Sequence, residues 1–179
     1  DMHLPKKTTK DWYFQKIDHL RRADLLLSIS ESVEREAVEH LSWAPDRVVT
    51  ISTAASELFR PVEVSSDDKR SLRDRFGIRK AFLMYTGGID PRKNMDGLIA
   101  AFAQLNESVR SAHQLVIVCK ASEAQRAQLV SVARTKGLSD GDVILTDHVS
   151  DTELLHLYNL CAAFVFPSLH EGFGLPALE

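Results

Sequence analysis

Two short strings of this chain hold the residue types that could do chemistry. The first, Thr86-Gly87-Gly88-Ile89-Asp90-Pro91-Arg92-Lys93-Asn94, follows an apolar run. Gly87 and Gly88 let the backbone come close to a ligand. Arg92 and Lys93 bring two positive charges to the start of a helix, where unbonded N–H groups also favour anions. A phosphate or diphosphate suits that chemistry; the plain alternative is a solvated loop with surface cations. The second string is Phe166-Pro167-Ser168-Leu169-His170-Glu171-Gly172-Phe173-Gly174-Leu175-Pro176-Ala177-Leu178-Glu179. Gly172 and Gly174 again permit close approach, and amides after Gly174 are expected to open a helix that can cradle phosphate. Glu171 and Glu179 bracket the turn. Carboxylates only accept hydrogen bonds and repel phosphate, so the hydroxyls of a sugar or ribose are their natural partners. Two surface acids beside a helix N-terminus are the plain alternative.

Both strings need a scaffold that brings strand ends to a ligand. Predominantly apolar runs at 81–85, 114–119, 143–145 and 163–166 alternate with helical patterns at 67–76, 96–105, 122–136 and 151–160. Strands without a polar face, separated by helices, imply a parallel sheet covered on both sides, with ligands at the carboxyl ends of its strands. Ser122 and Gln125 form a capping-box pair, Ser150 or Asp151 caps the last helix, and Gly77 and Gly137 are helix stops. In the helix of 96–105, Leu98, Ile99, Phe102 and Leu105 face inward. An earlier helix–strand–helix–strand series, with helices at 11–22 and 32–41 and strands at 23–29 and 47–52, reads as the tail of another α/β domain. The stretch between, with Pro61 and several serines and acids, reads as a linker. The predicted organisation is 1–53 as the tail of one α/β domain, 54–66 as the linker, and 67–179 as a second α/β domain cut at its C-terminal end.

Composition narrows the choices. With 179 residues, 44% hydrophobic and 26% charged, the chain can build one good core. A net charge of −3 argues against a general nucleic-acid binder. No apolar run approaches the ~20 residues of a membrane span. Cys119 and Cys161 have no metal-binding or redox spacing and read as free buried thiols, which fits a cytoplasmic location. His148 reads as a loop histidine.

Together the strings resemble a known family. Glu-Gly-Phe-Gly-Leu-Pro-Ala-Leu-Glu, preceded by Phe-Pro-Ser-Leu-His, is similar to the glutamate–seven residues–glutamate motif of the retaining glycosyltransferases of family 4, group 1, which have the GT-B fold. Tyr-Thr-Gly-Gly-Ile-Asp-Pro-Arg-Lys-Asn, with Leu98, Ala101 and Phe102 after it, resembles that family's donor-diphosphate loop. Ala23-Asp24-Leu25 and Ser28-Ile29-Ser30-Glu31 resemble the end of its N-terminal domain, so the resemblance implies that 1–53 is the tail of an N-terminal Rossmann-like domain and 67–179 a C-terminal, nucleotide-sugar donor-binding Rossmann-like domain.

The resemblance implies a role for each matched position. Lys93 corresponds to the lysine on the donor diphosphate, Glu171 to the glutamate that meets the transferred sugar, and Glu179 to the one that holds the ribose. Phe173, Gly174 and Leu175 match the turn whose amides meet the phosphates, with His170 as pocket wall and Asn94 shaping the loop. Many members carry an arginine where this chain has Gly88; Arg92 is the replacement charge. The chemistry of transfer is thus assigned to Glu171, Lys93 and Arg92, and no metal or other cofactor is expected. The implied activity is retaining transfer of a sugar from a nucleoside-diphosphate sugar to a glycan or lipid-linked acceptor, with GDP-mannose favoured over UDP-sugars. The acceptor half is expected in a missing N-terminal domain, so this fragment is expected to be inactive alone. The parent is expected in the cytoplasm or at the inner face of the membrane. Competing readings are a nucleotide- or phosphosugar-binding module without transfer, an epimerase or phosphorylase of the same fold, and a receiver-type signalling domain.

Overall fold

Apolar runs with no side left for water form strands that can exist only between two layers of helices. A computed structural model describes residues 7–179 of the chain, and they divide into two units. The first runs to Ala54 and includes Glu171–Leu175; the second comprises Ala55–His170 with Pro176–Glu179.

In the first unit, α1 (Lys7–Leu20) and α2 (Glu31–Leu41) alternate with β1 (Leu26–Ser28) and β2 (Val48–Thr50), as the sequence pattern predicts. The two strands pair in parallel, Leu26 opposite Val48. Ala37, Trp43 and Val48 form the small core. Ser30 caps α2, its hydroxyl accepting from the Val33 amide at 3.1 Å.

The second unit begins its regular structure with α3 (Ser66–Phe76), stopped by Gly77 at φ 72°. There follow β3 (Ala81–Thr86), α4 (Met95–Ala103), α5 (Glu107–Ala112), β4 (His113–Val118), α6 (Glu123–Thr135), β5 (Val143–Leu145), α7 (Asp151–Leu160) and β6 (Ala163–Phe164). The four strands are parallel, in the order β5-β4-β3-β6. Alternation along each strand sorts the side chains. Tyr85, Leu115, Ile117 and Cys119 pack with Leu98, Ile99 and Phe102 of α4 and Leu129 and Ala133 of α6. Phe82, Met84, Val116, Val118 and Ile144 pack with Leu72 of α3 and Leu157 of α7. Side chains of this kind contribute roughly 1.5–3 kcal/mol each when fully buried, so both faces of the sheet are needed for its stability. This is the expected α/β architecture, a parallel sheet with helices on both faces.

Details depart from the sequence expectation. Only two residues of 163–166 are strand, although the Val165 amide still donates to Met84 O at 2.8 Å; Pro167, without an N–H, cannot extend the ladder. α5 was not anticipated: its six residues are largely polar and are set by the Asn106 cap, which accepts from the Val109 amide. The helix expected after Gly174 is a single 3-10 turn, Leu175–Ala177. An α-helix starting at Leu175 would close its first bond only at residue 179.

At the amino ends of the strands, Gln114 is buried at 4% exposure and fully engaged. Its Oε1 accepts from the amides of Arg79 (2.7 Å) and Lys80 (3.0 Å), and its Nε2 donates to Gly141 O (2.7 Å) and Gly77 O (3.4 Å).

Candidate functional site

The strand order reverses at β3. The chain moves from β3 outward through β4 to β5, then returns to place β6 on the other side of β3. In open α/β sheets the crevice beyond the carboxyl ends at such a switch point is where ligands bind. Here the loops leaving β3 and β6 are those that carry the sequence-predicted residues.

The β3 loop is built on a buried tyrosine. Tyr85 donates from its hydroxyl to Gly88 O at 2.6 Å. Gly87 has φ 140°, and a Cβ there would stand 2.8 Å from the Tyr85 hydroxyl. Glycine is required by this close approach as well as by the backbone angle. The Gly87 amide donates to Val118 O at 3.2 Å, which ties the loop to β4. Asp90 then opens a 3-10 turn, Pro91–Lys93, accepting from the Arg92 amide at 3.2 Å and from Arg92 Nε at 3.0 Å. Arg92 remains 54% exposed and Asp90 41%, so this pair is screened by solvent and adds little stability. Lys93 is half-buried.

Asn94 joins the two loops. It occupies the left-handed region (φ 58°, ψ 45°) immediately before α4. Its side chain does not cap the helix; Nδ2 donates instead to Pro167 O, just past β6, at 3.1 Å. The Leu169 amide adds a second tie, donating to Arg92 O at 2.8 Å. Gly97 makes room for this arrangement, since a Cβ there would fall 2.3 Å from Asn94 Oδ1. The first turn of α4 therefore has no side-chain cap, and beside it stand Arg92 and Lys93. Backbone donors and fixed cations at a helix start are suited to a phosphate. Sequence reasoning gave Asn94 a shaping role but missed Tyr85, Gly97 and Pro167. Asn94 and Pro167 lie 73 residues apart in sequence, and no local signal pairs them.

The residues of the terminal string divide between the two units. In the first unit, the Ser30 hydroxyl donates to Gly172 O at 2.5 Å. A Cβ on Gly172 would meet Ile29 Cδ1 at 3.3 Å. Gly174 has φ 96°. Glu171, Gly172, Phe173, Gly174 and Leu175 are all half-buried, while His170, in the second unit, is exposed.

In the second unit, Glu179 Oε2 accepts from Tyr158 Oη of α7 at 2.9 Å, and the same hydroxyl lies 3.2 Å from Pro176 O. Burial, reinforced by the Glu179 bond, raises the Tyr158 phenol well above its ordinary range, so it stays a protonated donor. Both cysteines are free, Cys119 buried and Cys161 half-buried. Burial pushes the Cys119 thiol up to about 11, opposed by Arg126 and aided by Asp147. Neither thiol is poised as a nucleophile. His148 is exposed on the loop before α7. Among the described residues no helix is long and apolar enough to cross a membrane.

Comparison with known proteins gives the chain a family and a fold. Residues 68–179 match the family described as glycosyl transferases group 1. Over all 179 residues the chain is 36% identical to the serotype-specific mannosyltransferase WbdA of Escherichia coli, and it spans 22% of that protein's length. Among solved structures, sucrose-phosphate synthase from Thermosynechococcus elongatus gives a TM-score of 0.73 at 22% identity, over 98% of this chain and 43% of the other. Anabaena HepE, solved in complex with UDP and glucose, gives 0.69 at 19% identity, over 86% of this chain and 40% of the other. These two likenesses speak for the fold.

Proposed function

This chain belongs to the group 1 glycosyl transferases, and from that premise we propose that its full-length protein transfers a mannosyl group from GDP-mannose to a glycan or lipid-linked acceptor, with retention of configuration. The observation that carries this reading is the pair of ties at the sheet's switch point. Asn94 to Pro167 and Leu169 to Arg92 hold the Lys93 loop and the chain leaving β6 as one surface, beside an uncapped helix start.

The donor diphosphate lies on the α4 amides and Lys93, with Arg92 as the further cation. Breaking the glycosidic bond releases a nucleoside diphosphate that carries added negative charge. Cations and amides already aimed at the leaving oxygens stabilise that charge more than they stabilise the intact donor, which lowers the barrier. These groups give the charge neutralisation that a metal gives elsewhere, so the transfer proceeds without one. By the family resemblance, Glu171 meets the hydroxyls of the transferred sugar, Phe173, Gly174 and Leu175 offer amides to the phosphates, and Glu179 accepts from the ribose. Mannose is chosen because WbdA is named a mannosyltransferase; the complex of HepE with UDP and glucose supports a nucleotide-sugar donor for this fold. A lipid-linked acceptor would bring the protein to the cytoplasmic face of the membrane.

The test is transfer by the full-length protein from GDP-mannose and, separately, UDP-glucose to mannose-terminated oligosaccharides, with and without EDTA. Proton NMR reads the anomeric configuration of the first product. Mannosyl transfer with retention, insensitive to EDTA, is expected. Inversion, or release of free mannose in place of transfer, would sink the proposal.

A further inference from the structure

The second glutamate of the terminal motif does not stand alone. Tyr158 lies one strand earlier, on α7, and sends its hydroxyl to Glu179 Oε2 at 2.9 Å. The ring is held on two sides: Phe59 meets it edge-on with centroids 5.6 Å apart, and Phe164 of β6 packs at 5.4 Å. The next residue of α7, Asn159, ties down the chain around Phe59. Its Oδ1 accepts from the Val62 amide at 2.9 Å, and its Nδ2 donates to Arg60 O at 3.1 Å. The tyrosine thus has a fixed ring and one hydroxyl proton to give, and a carboxylate in front of it.

We propose that Tyr158 is a positioning residue for Glu179, fixing that carboxylate to accept both ribose hydroxyls of the donor nucleotide. The inference rests on the donor-site reading above. A glutamate at the surface has three rotatable bonds, and ordering it on binding costs affinity. A phenol that donates to one carboxylate oxygen pays none of its own ring mobility, because the aromatic packing has already removed it. One bond to Oε2 also leaves Oε1 and the second lone pair of Oε2 for a vicinal diol. Two donors from neighbouring ribose carbons match two acceptor oxygens, as a bidentate pair does. The raised phenol pKa keeps the proton on Tyr158 across the working range, so the geometry does not titrate away.

The test measures recognition of the ribose hydroxyls separately from affinity as a whole. GDP, UDP and ADP and their 2′,3′-dideoxy counterparts are titrated into the full-length protein, the Tyr158→Phe and Glu179→Gln variants, and the double variant. Phenylalanine keeps the ring against Phe59 and Phe164, so the fold is retained and a purely structural loss would weaken both members of each pair equally. The wild type is expected to prefer the ribo form at least tenfold, Glu179→Gln to abolish that preference, and Tyr158→Phe to cut it at least threefold. In the Glu179→Gln background, Tyr158→Phe should change the ratio no further. If Glu179→Gln abolishes the preference but Tyr158→Phe leaves it whole, the role given to Tyr158 is wrong and the donor site stands. If Glu179→Gln leaves the preference intact, or none of the three nucleotides binds, the ribose role of Glu179 is wrong and the inference falls with it.

Discussion

The two ends of the four-stranded sheet treat polar groups in opposite ways. At the amino ends, Gln114 gives all its hydrogen-bonding capacity to backbone groups of two turns, and Lys80 meets Asp142 at 3.4 Å nearby. At the carboxyl ends, polar side chains shape loops and leave the helix start of α4 uncapped. The first arrangement closes a fold. The second holds a surface in a form that suits an anion, at some cost in backbone conformation at Asn94. A polar residue near a strand end is therefore no sign of function by itself. What matters is whether its bonds are all consumed internally.

Substitutions can break this contrast. Gln114→Leu takes the partner from two amides and two carbonyls and should lower stability by about 3 kcal/mol in urea unfolding, the largest effect of the series. The folded fraction should bind nucleotide as the wild type does. A loss under ~1 kcal/mol would mean that the amino-end clip is ornamental. Gly87→Ala places a methyl on the Tyr85 hydroxyl at an unfavourable φ, and about 2 kcal/mol of destabilisation is expected. Unlike Gln114→Leu, it should also weaken binding of a nucleoside diphosphate. Asn94→Ala removes the tie to Pro167 and puts a less tolerant residue in the left-handed region, for about 1 kcal/mol. Its mark should be faster amide exchange at Leu169, with Gln114's neighbours unchanged.

The smallest effect concerns Cys119, immediately after β4. With its thiol at about 11, only about one molecule in a thousand is thiolate at pH 8. Alkylation of the native protein should be slow there and quicken about tenfold per pH unit. Because the folded pKa lies above the unfolded value, the linked stability is present below pH 9.0 and is withdrawn as pH rises toward about 11. Rapid labelling at pH 7 would show that the carboxyl end opens far more than the structure implies.

Much of this was legible in the residues. The apolar runs that became β3, β4 and β5 have no polar face, so their burial on both sides followed from composition alone. Ser122 with Gln125, and Gly77 and Gly137, marked helix ends through chemistry that is local. The Gly87-to-Asn94 string and the two glutamates pointed to anion and hydroxyl partners. What was hidden was non-local. Nothing near Asn94 says that its amide reaches Pro167, and nothing near Glu179 names Tyr158. The place of β6 beside β3 depends on which edge a crossover reaches, a choice that individual residues do not encode. The same limit applies to α5, where a short polar helix leaves no periodic trace.

The most direct test of the central claim is calorimetric titration of the full-length protein with GDP, UDP, ADP and dTDP, with and without Mg²⁺, beside Lys93→Ala and Glu179→Ala. One nucleoside diphosphate should bind without metal, and each substitution should weaken it by more than ~1 kcal/mol, as the loss of a charge-assisted bond requires. Binding that ignores both substitutions, or no binding at all, would contradict the account and leave the carboxyl end of the sheet as structural as the amino end.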